Sequence, residues 1–378
     1  MKILIVIGTR PEAIKMAALV SLMKSDKFFK IKVCITGQHK EMLDQVLRNF
    51  DIKPDFDFKI MKNNQTLTSV TNKTLMGLEN IFKKFVPDFV FVHGDTISSF
   101  SAALASYYCR LPIAHVEAGL RTNNIYSPWP EEGSRKLIDV LSSIHFAPTL
   151  HSHNNLIAEG VKKKSIYVTG NTVIDSLFFA LSIIKNKKSL LKKLEKEFSF
   201  LKNDRKLILI TAHRRENFGK PFTNICKAMI KIANENEDVD IVYPIHPNPN
   251  INEPGKKYLS NIKNIYLVSP LDYFSFVHLM NKSYLILTDS GGIQEEAPSL
   301  KKPVLVLRDE TERTEALEAG TIKLVGTNTE KIFKTVNSLL HNKKIYKSFI
   351  VNNNPYGDGN ASKKIIKVLK LTNKLLIK

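Results

Sequence analysis

The sequence contains no apolar run of about 18 residues or more, so we expect no membrane-spanning segment. The short apolar run at 3–7 is followed at once by charged residues, which indicates a buried first strand and not the core of a signal peptide. Cysteine is scarce, and an odd, scattered set (Cys34, Cys109 and Cys226) argues against disulfides and against a cysteine-based metal site. These absences favour a cytoplasmic protein.

Several common ligand-binding motifs are also missing. The first apolar run is not followed by G-x-G-x-x-G and there is no Walker lysine, which excludes the usual dinucleotide and P-loop signatures. No predicted helix or strand carries an H-x-H or H-x-x-x-H pair, so no metal is expected. The formal net charge is +20, but the lysines are spread along the chain without a nucleic-acid-binding signature. We therefore expect no nucleic-acid partner, only an attraction to anionic ligands.

What the sequence does contain is a regular alternation of short apolar runs with amphipathic segments of helical length. The predicted strands are 2–7, 31–36, 89–93, 112–116, 144–147, 166–169, 207–211, 240–244, 264–268, 284–288, 303–307 and 321–325. The predicted helices are 11–24, 39–49, 96–109, 131–141, 219–236, 291–300 and 329–340, with a final amphipathic stretch at 362–376. Such alternation predicts an α/β protein with parallel sheets covered by helices on both faces.

The length and a lysine-rich segment at 185–206 indicate two domains, each a doubly wound parallel sheet, with a cleft between them. Ligands of such sheets bind outside the carboxyl ends of the strands, so the residues that follow each apolar run matter most. Six predicted strands end in polar or charged residues that could form one site. These residues are Arg10; His93 and Asp95; His115, Glu117 and Arg121; His213, Arg214 and Arg215; His246; and Asp289 and Ser290.

Two of these strand ends have the features of an anion site. Gly291 and Gly292 follow Ser290 and lead into a predicted helix, whose free N–H groups and dipole favour a negative ligand. In the other half, Arg10 precedes a proline suited to the first helical position, and Lys15 lies further along the same helix. With Arg313 as a third cation, the set fits a bound diphosphate.

The acidic residues form a second group. Asp95 and Glu117 should lie near each other if the strands at 89–93 and 112–116 are neighbours. Glu131 opens a predicted helix, where an acid is also favoured by the dipole, and Arg135 lies four residues on. Three carboxylates with one or two histidines would supply acid and base groups for proton transfer.

Several motifs of this sequence, taken together, resemble those of the bacterial non-hydrolysing UDP-N-acetylglucosamine 2-epimerases. The motifs that carry the resemblance are GTRPEAIKM (8–16), HGDT (93–96), HVEAGLRT (115–122), SPWPEE (127–132), TGNTVID (169–175), TAHRREN (211–217), LTDSGGIQEEAPSL (287–300) and NPYGDG (354–359). The resemblance implies a GT-B fold of two Rossmann-like domains and a homodimer. It also implies a C-terminal helix that returns to the first domain. The implied domain limits are 1–170 together with the helix at 360–378 for the first domain, and 171–359 for the second domain, which binds UDP.

The resemblance further implies an isomerase that interconverts UDP-GlcNAc and UDP-ManNAc without NAD or any other cofactor, for cell-surface polysaccharide biosynthesis. In this family a base removes the proton at sugar C2 while UDP departs from C1, and 2-acetamidoglucal remains bound. Protonation on the other face and re-addition of UDP give the epimer. Catalysis by this route therefore depends mainly on stabilising UDP as a leaving group.

Individual residues take their expected roles from the matching motifs. The catalytic group is Asp95, Glu117, Glu131 and His213. The substrate-binding set is Arg10, Lys15, Asp95, Glu117, Arg135, His213, Phe276 at the uracil, Ser290, Gly291, Gly292, Glu296 at the ribose, and Arg313. Gln38, Arg214 and His246 match positions at which some family members bind a second UDP-GlcNAc as an activator.

Three other functions share parts of this pattern. A hydrolysing epimerase would release free ManNAc and UDP through the same elimination. A GT-B glycosyltransferase would use the same UDP site with an acceptor pocket and would have less use for three clustered acids. A nucleotide-sugar sensor would bind UDP-GlcNAc without exchanging its C2 hydrogen.

Overall fold

The computed structural model describes residues 1–37, 40–61, 65–350 and 354–376. The chain divides into two compact units, Met1–Phe179 with Tyr356–Lys378, and Ala180–Pro355. The domain limits that the resemblance implies, 1–170 with 360–378 and 171–359, stay a prediction. No helix among the described residues is both long and apolar enough to cross a membrane.

The first unit is built on a seven-stranded, wholly parallel sheet with the order β3-β2-β1-β4-β5-β6-β7. Its strands are β1 (Lys2–Ile7), β2 (Lys30–Ile35), β3 (Phe56–Asp57), β4 (Phe89–His93), β5 (Ile113–Val116), β6 (Ile144–Ala147) and β7 (Ile166–Val168). β1 and β4 lie in the middle and carry almost continuous apolar sequence, because helices cover both faces of the sheet.

The first six of the following helices connect consecutive strands of this sheet. They are α1 (Arg10–Ser25), α2 (Lys40–Asn49), α3 (Leu67–Phe82), α4 (Ile97–Tyr108), α5 (Glu131–Leu141), α6 (Leu150–Ala158), α7 (Thr172–Asn186), which continues into the second unit, and α16 (Ala361–Leu376). α1 packs against α2 and α16, whereas α4 packs against both α3 and α5. Right-handed crossovers place these two groups on opposite faces, since the strand order runs one way from β1 and the other way from β4.

The C-terminal helix belongs to the first unit. Asp175 on α7 accepts hydrogen bonds from the backbone N–H groups of Ala361 (3.1 Å) and Ser362 (2.7 Å), the first residues of α16. Its carboxylate thus occupies the position of a helix cap, where it satisfies free donors. Ile365 and Leu369 are fully buried along the packed side of the helix. α16 therefore packs within the first unit.

The second unit repeats the design with a six-stranded parallel sheet in the order β10-β9-β8-β11-β12-β13. Its strands are β8 (Lys206–Thr211), β9 (Val239–Pro244), β10 (Ile265–Val268), β11 (Leu285–Thr288), β12 (Val304–Val306) and β13 (Ile322–Leu324). Its helices are α8 (Lys188–Glu197), α9 (Lys220–Glu235), α10 (Pro249–Leu259), α11 (Tyr273–Lys282), α12 (Gly291–Glu296), α13 (Thr314–Glu318), α14 (Thr329–His341) and α15 (Lys343–Ser348). Phe222 and Tyr243 are the largest fully buried side chains of its core among the described residues.

All twelve predicted strands are present, with ends that differ by at most one residue, and the predicted α/β class is confirmed. The short strand β3 is additional. Several helices lie in segments for which no helix was predicted, so the prediction was wrong there. One of them, α8, lies within the lysine-rich segment at 185–206 that was predicted to separate the two domains. The helices outside the prediction are α3, α6, α7, α8, α10, α11, α13 and α15.

Candidate active site

Each sheet has one place where neighbouring strands lead away in opposite directions. In the first unit it lies between β1 and β4, and in the second between β8 and β11. Beyond the carboxyl ends of two such strands a crevice opens, and ligands of doubly wound sheets bind there. The polar residues singled out in the sequence follow these four strands or their immediate neighbours.

The end of β1 presents the start of α1. A Cβ at Gly8 would lie 2.3 Å from the Cβ of Ser98, so only glycine permits this close approach of β1 to α4. Thr9 is the N-cap, and Glu12 accepts its backbone N–H (3.2 Å) together with that of Gly8, which completes a capping box. Arg10 consequently takes the first helical position, at the positive end of the helix dipole.

Glu117 is the centre of the acidic group. Its Oε2 accepts hydrogen bonds from Lys15 Nζ at 2.5 Å and from Asn171 Nδ2 at 2.8 Å, and His93 Nε2 lies 3.8 Å away. The backbone of Glu117 has φ +67°, a left-handed conformation that is unfavourable for a residue with a side chain and is common at functional sites. Three different strand ends thus direct polar groups to one carboxylate.

Asp95 follows β4 and pairs with Arg135 of α5 through a short hydrogen bond. β4 and β5 are neighbours, as the prediction for Asp95 and Glu117 required. Glu131 is the first residue of α5 and is half-buried. The next residue, Glu132, is fully buried and accepts the backbone N–H groups of Thr122 (3.1 Å) and Asn123 (3.2 Å), so it holds the loop after β5.

Burial changes the pKa of two groups in this crevice. It raises the pKa of Glu12 to about 7, because the carboxylate is removed from water, although the Thr96 hydroxyl and the N–H groups of Gly8 and Thr9 oppose the rise. It lowers the pKa of His93 to about 3, even though the charge of Glu117 acts in the other direction. His93 is therefore a neutral ring beside the Glu117 carboxylate at neutral pH.

In the second unit, Asp289 organises the end of β8. It is fully buried, and its Oδ2 accepts the backbone N–H groups of His213 and Arg214, both at 2.7 Å, and the side-chain amide of Asn217 at 3.0 Å. The His213 ring is 3.7 Å from the other carboxylate oxygen. Burial lowers the pKa of His213 although Asp289 favours its charged form, so the ring is neutral at neutral pH.

Ser290, Gly291 and Gly292 follow β11, and α12 begins at Gly291. A Cβ at Gly291 would lie 3.2 Å from a guanidinium nitrogen of Arg313, so this cation is packed against the helix start. Arg313 is held there by Glu295 at 2.8 Å. The N-terminal N–H groups of α12 and the Arg313 charge together make this end of the sheet suited to an anion.

The remaining predicted residues lie around this end of the second sheet or outside it. Glu296 is buried and accepts the hydroxyl of Tyr273 at 2.8 Å, and Phe276 is half-buried on the same helix as Tyr273. The ring of His246, after β9, stacks on that of His213 with centroids 5.3 Å apart and planes at 15°. Arg214 is exposed, and Gln38 lies outside the described residues.

Three comparisons identify the relatives of this chain. The family model described as UDP-N-acetylglucosamine 2-epimerase matches residues 21–370. The UDP-N-acetylglucosamine 2-epimerase of Yersinia pestis is 53% identical over 370 residues, with 98% of each chain covered. The UDP-GlcNAc 2-epimerase of Neisseria meningitidis, solved with UDP-GlcNAc bound, is 50% identical with a TM-score of 0.88 and covers 98% of this chain and 99% of its own. The enzyme of Methanocaldococcus jannaschii, solved with UDP-GlcNAc and UDP, is 34% identical with a TM-score of 0.78 and covers 98% and 100%.

The chain belongs to the UDP-N-acetylglucosamine 2-epimerase family. The predicted resemblance and the predicted GT-B fold class are thereby confirmed. Within the first unit of this 2-epimerase, Lys15 contacts Glu117 and Arg135 contacts Asp95. Within the second, Arg313 lies beside Gly291. No direct contact joins Glu131 to another of the predicted acids among the hydrogen bonds of the described residues, and its role stays a prediction.

Three residues of this 2-epimerase site were not singled out in the sequence. Asn171 follows a predicted strand, so the strand-end rule could have found it, whereas Glu12 and Glu132 are first-turn acids that the helix dipole explains equally well. α6 carries His151 and His153 in a helix the prediction did not contain, but a spacing of two residues turns their side chains away from each other. No group of three or more metal-ligating side chains suited to an ion occurs among the described residues.

We predict that Glu12 makes this 2-epimerase less stable as the pH rises. The ordinary pKa is 4.5 and the folded value is about 7, so the folded state binds more protons between these values and its stability falls as the pH increases. The loss is complete above about pH 7 and amounts to about 3 kcal/mol, at about 1.4 kcal/mol per pH decade. In Glu12→Gln this loss should disappear, because the amide cannot ionise while its oxygen still accepts the Gly8 N–H.

The measurement is urea unfolding of both proteins at pH 5 and pH 8. Glu79→Gln, which changes an exposed glutamate of α3, is the matched control and should follow the wild type. Parallel pH profiles for wild type and Glu12→Gln would contradict the assignment.

Proposed function

We propose that this chain interconverts UDP-N-acetylglucosamine and UDP-N-acetylmannosamine and is a non-hydrolysing 2-epimerase. Its product feeds cell-surface polysaccharide biosynthesis. Membership of the family supports the reaction, and the Neisseria meningitidis and Methanocaldococcus jannaschii relatives solved with UDP-GlcNAc support the substrate.

The proposed reaction has two half-steps. A carboxylate takes the C2 proton, the electrons of the C2–H bond form the C1–C2 double bond, and the C1–O bond breaks with its electrons going to UDP. The protein then holds 2-acetamidoglucal and UDP. A proton delivered to the other face of C2 and attack of the UDP oxygen on C1 complete the epimer. Electrons balance without hydride transfer, so the route needs no redox cofactor.

The observation that carries the proposal is the group of acids at the carboxyl ends of β4 and β5. Glu117 accepts hydrogen bonds from Lys15 and Asn171, and a carboxylate held in this way is placed to act as a base. Asp95, paired with Arg135, supplies a second carboxylate at the next strand end. We assign Asp95, Glu117, Glu131 and neutral His213 jointly to the proton transfers.

The leaving UDP requires a different kind of group. Ser290, Gly291, Gly292 and Arg313 supply backbone N–H donors and a guanidinium for the diphosphate. The proposed roles of Arg10 and Lys15 are further contacts to the diphosphate, and Arg135 also contacts substrate. Glu296, oriented by Tyr273, is assigned to the ribose hydroxyls and Phe276 to the uracil.

The decisive experiment is incubation of the purified protein with UDP-GlcNAc in deuterium oxide, followed by NMR. We expect UDP-ManNAc with deuterium at C2 and no free sugar. Free ManNAc with UDP would show a hydrolysing epimerase. Transfer of GlcNAc to an added acceptor without C2 exchange would show a glycosyltransferase, and unchanged UDP-GlcNAc would show a binding protein.

Variants of the acids test the assignment of residues. Asp95→Asn, Glu117→Gln and Glu131→Gln should each lower turnover by about 10²-fold or more, because each removes a proton-transferring group, while UDP binding persists. Glu79→Gln on α3 is the control. Normal turnover in all three variants would contradict the assignment.

We also propose a second UDP-GlcNAc site that includes Gln38, Arg214 and His246. His246 is exposed and stacks on His213, so a ligand on its free face could act on the catalytic ring. The rate should depend sigmoidally on UDP-GlcNAc in the wild type and hyperbolically in His246→Ala. His151→Ala, which removes an exposed histidine of α6, should keep the sigmoidal curve. A hyperbola in the wild type would rule out the site.

We propose, finally, that the protein is a homodimer, as the family resemblance implies. The helices α3, α4 and α5 expose large apolar side chains that a second copy could cover. They are Met76, Tyr107, Tyr108, Leu137 and Val140, the last 80% exposed. Val140→Glu should shift the mass measured by light scattering from dimer to monomer, whereas Leu317→Glu in the second unit should not. A dimer that survives Val140→Glu would place the interface elsewhere.

A further inference from the structure

His115 lies on β5 and is completely buried, yet it is absent from the proposed reaction. Its Nδ1 is 2.6 Å from Oδ1 of Asp139, and its Nε2 is 2.7 Å from the carbonyl oxygen of Gly94. Gly94 immediately precedes Asp95. The ring therefore joins α5 to the turn that carries one of the proposed catalytic acids.

The two partners determine how many protons the ring carries. A backbone carbonyl can only accept a hydrogen bond, so Nε2 must donate to Gly94. An ionised Asp139 can likewise only accept, so Nδ1 must donate as well. Burial opposes the ionisation of Asp139, but the hydrogen bond with His115 and the permanent charge of Arg121, which donates to Asp139 at 2.8 Å, outweigh it and keep the pKa of Asp139 below its ordinary value. Two donating nitrogens make the ring an imidazolium.

The charged surroundings are consistent with a buried cation at this position. Asp139 also accepts a hydrogen bond from Arg121 at 2.8 Å, and Arg121 pairs in turn with both oxygens of Glu159, at 2.9 and 2.5 Å. The neighbouring strands contribute two further histidines, His93 on β4 and His145 on β6. Burial lowers the pKa of His93 and of His145, so both rings are neutral at neutral pH. The charge of Asp139 is therefore compensated by His115 and Arg121 and not by these two histidines.

The turn after β4 is fixed at two atoms. The N–H of Gly94 donates to the carbonyl of Val116 at 2.9 Å, and its carbonyl accepts from His115. Gly94 has φ +64°, which requires glycine or strain, so the turn has a defined and unusual direction. From it Asp95 extends to its partner Arg135.

We propose that His115 is an imidazolium that acts as a positioning residue for Asp95 by holding the Gly94 carbonyl. The proposal rests on the proposed catalytic role of Asp95 for its effect on turnover. The protonation of the ring does not depend on that role. Two measurements therefore test the two parts separately.

The first measurement is nitrogen NMR of the full-length protein labelled at histidine, with the His115 resonances assigned by their loss in His115→Asn. We expect both ring nitrogens to be protonated at pH 7. A non-protonated nitrogen in this ring would overturn the proposal, whatever reaction the protein catalyses.

The second measurement compares two substitutions that each preserve one half of the ring's hydrogen bonding. The amide nitrogen of glutamine in His115→Gln can take the place of Nε2 and donate to Gly94. The amide nitrogen of asparagine in His115→Asn takes the place of Nδ1, so it donates to Asp139 and not to Gly94. We expect His115→Asn to lower kcat for C2 exchange about tenfold or more with KM little changed, and His115→Gln to stay within about threefold of the wild type.

Thermal unfolding of both variants separates positioning from folding. Since both lose the ring and its charge, their Tm values should fall together, while their kcat values should differ. Equal losses of kcat in His115→Asn and His115→Gln would overturn the positioning role. If neither Asp95→Asn nor His115→Asn changes turnover, the proposed role of Asp95 fails, and the NMR result still decides the state of the ring.

Discussion

A carboxylate that is taken out of water must be compensated by donors or cations, and this requirement shapes the carboxyl ends of both sheets. Glu117 is compensated by Lys15 and Asn171, and Asp289 by two backbone N–H groups and Asn217. In each case the donors come from elements far apart in sequence. The acids therefore determine how the loops after the strands are arranged, as well as supplying chemistry.

The two sheets meet this requirement in different ways. In the first sheet, cationic side chains form ion pairs with the acids, as Lys15 does with Glu117 and Arg135 does with Asp95. In the second, Asp289 accepts hydrogen bonds from neutral donors, and Arg313, which pairs with Glu295, lies against the start of α12. A sheet rich in paired acids is suited to moving protons, and one with backbone donors is suited to holding an anion.

Much of this arrangement could be predicted because parallel strands bring their ends to one edge. Asp95, Glu117, His213 and Ser290 all follow apolar runs, and the rule needs only that pattern. The sequence of α10 reads as a loop because it contains Pro249, Pro254 and Gly255. It is nevertheless helical, because Asn248 caps it and Pro249 fits its first position. β3 has only two residues and leaves no periodic signal.

The importance of some site residues depends on burial against specific partners, which the sequence does not reveal. Glu12 and Glu132 were not among the predicted site residues, and His115 was predicted only as a residue at a strand end; the importance of each arises from burial against specific partners. Periodicity indicates which face of a helix is covered, but it does not indicate which backbone N–H or carbonyl lies opposite a given side chain. Contacts of this kind follow from the tertiary structure alone.

The link between Asp175 and the start of α16 has a consequence for how the protein is made. The two partners are 186 residues apart, and the whole second unit is encoded between them. On the ribosome, Asp175 emerges long before the backbone N–H groups that it will bind. The side of α1 that packs against α16 therefore stays uncovered until α16 itself has been translated.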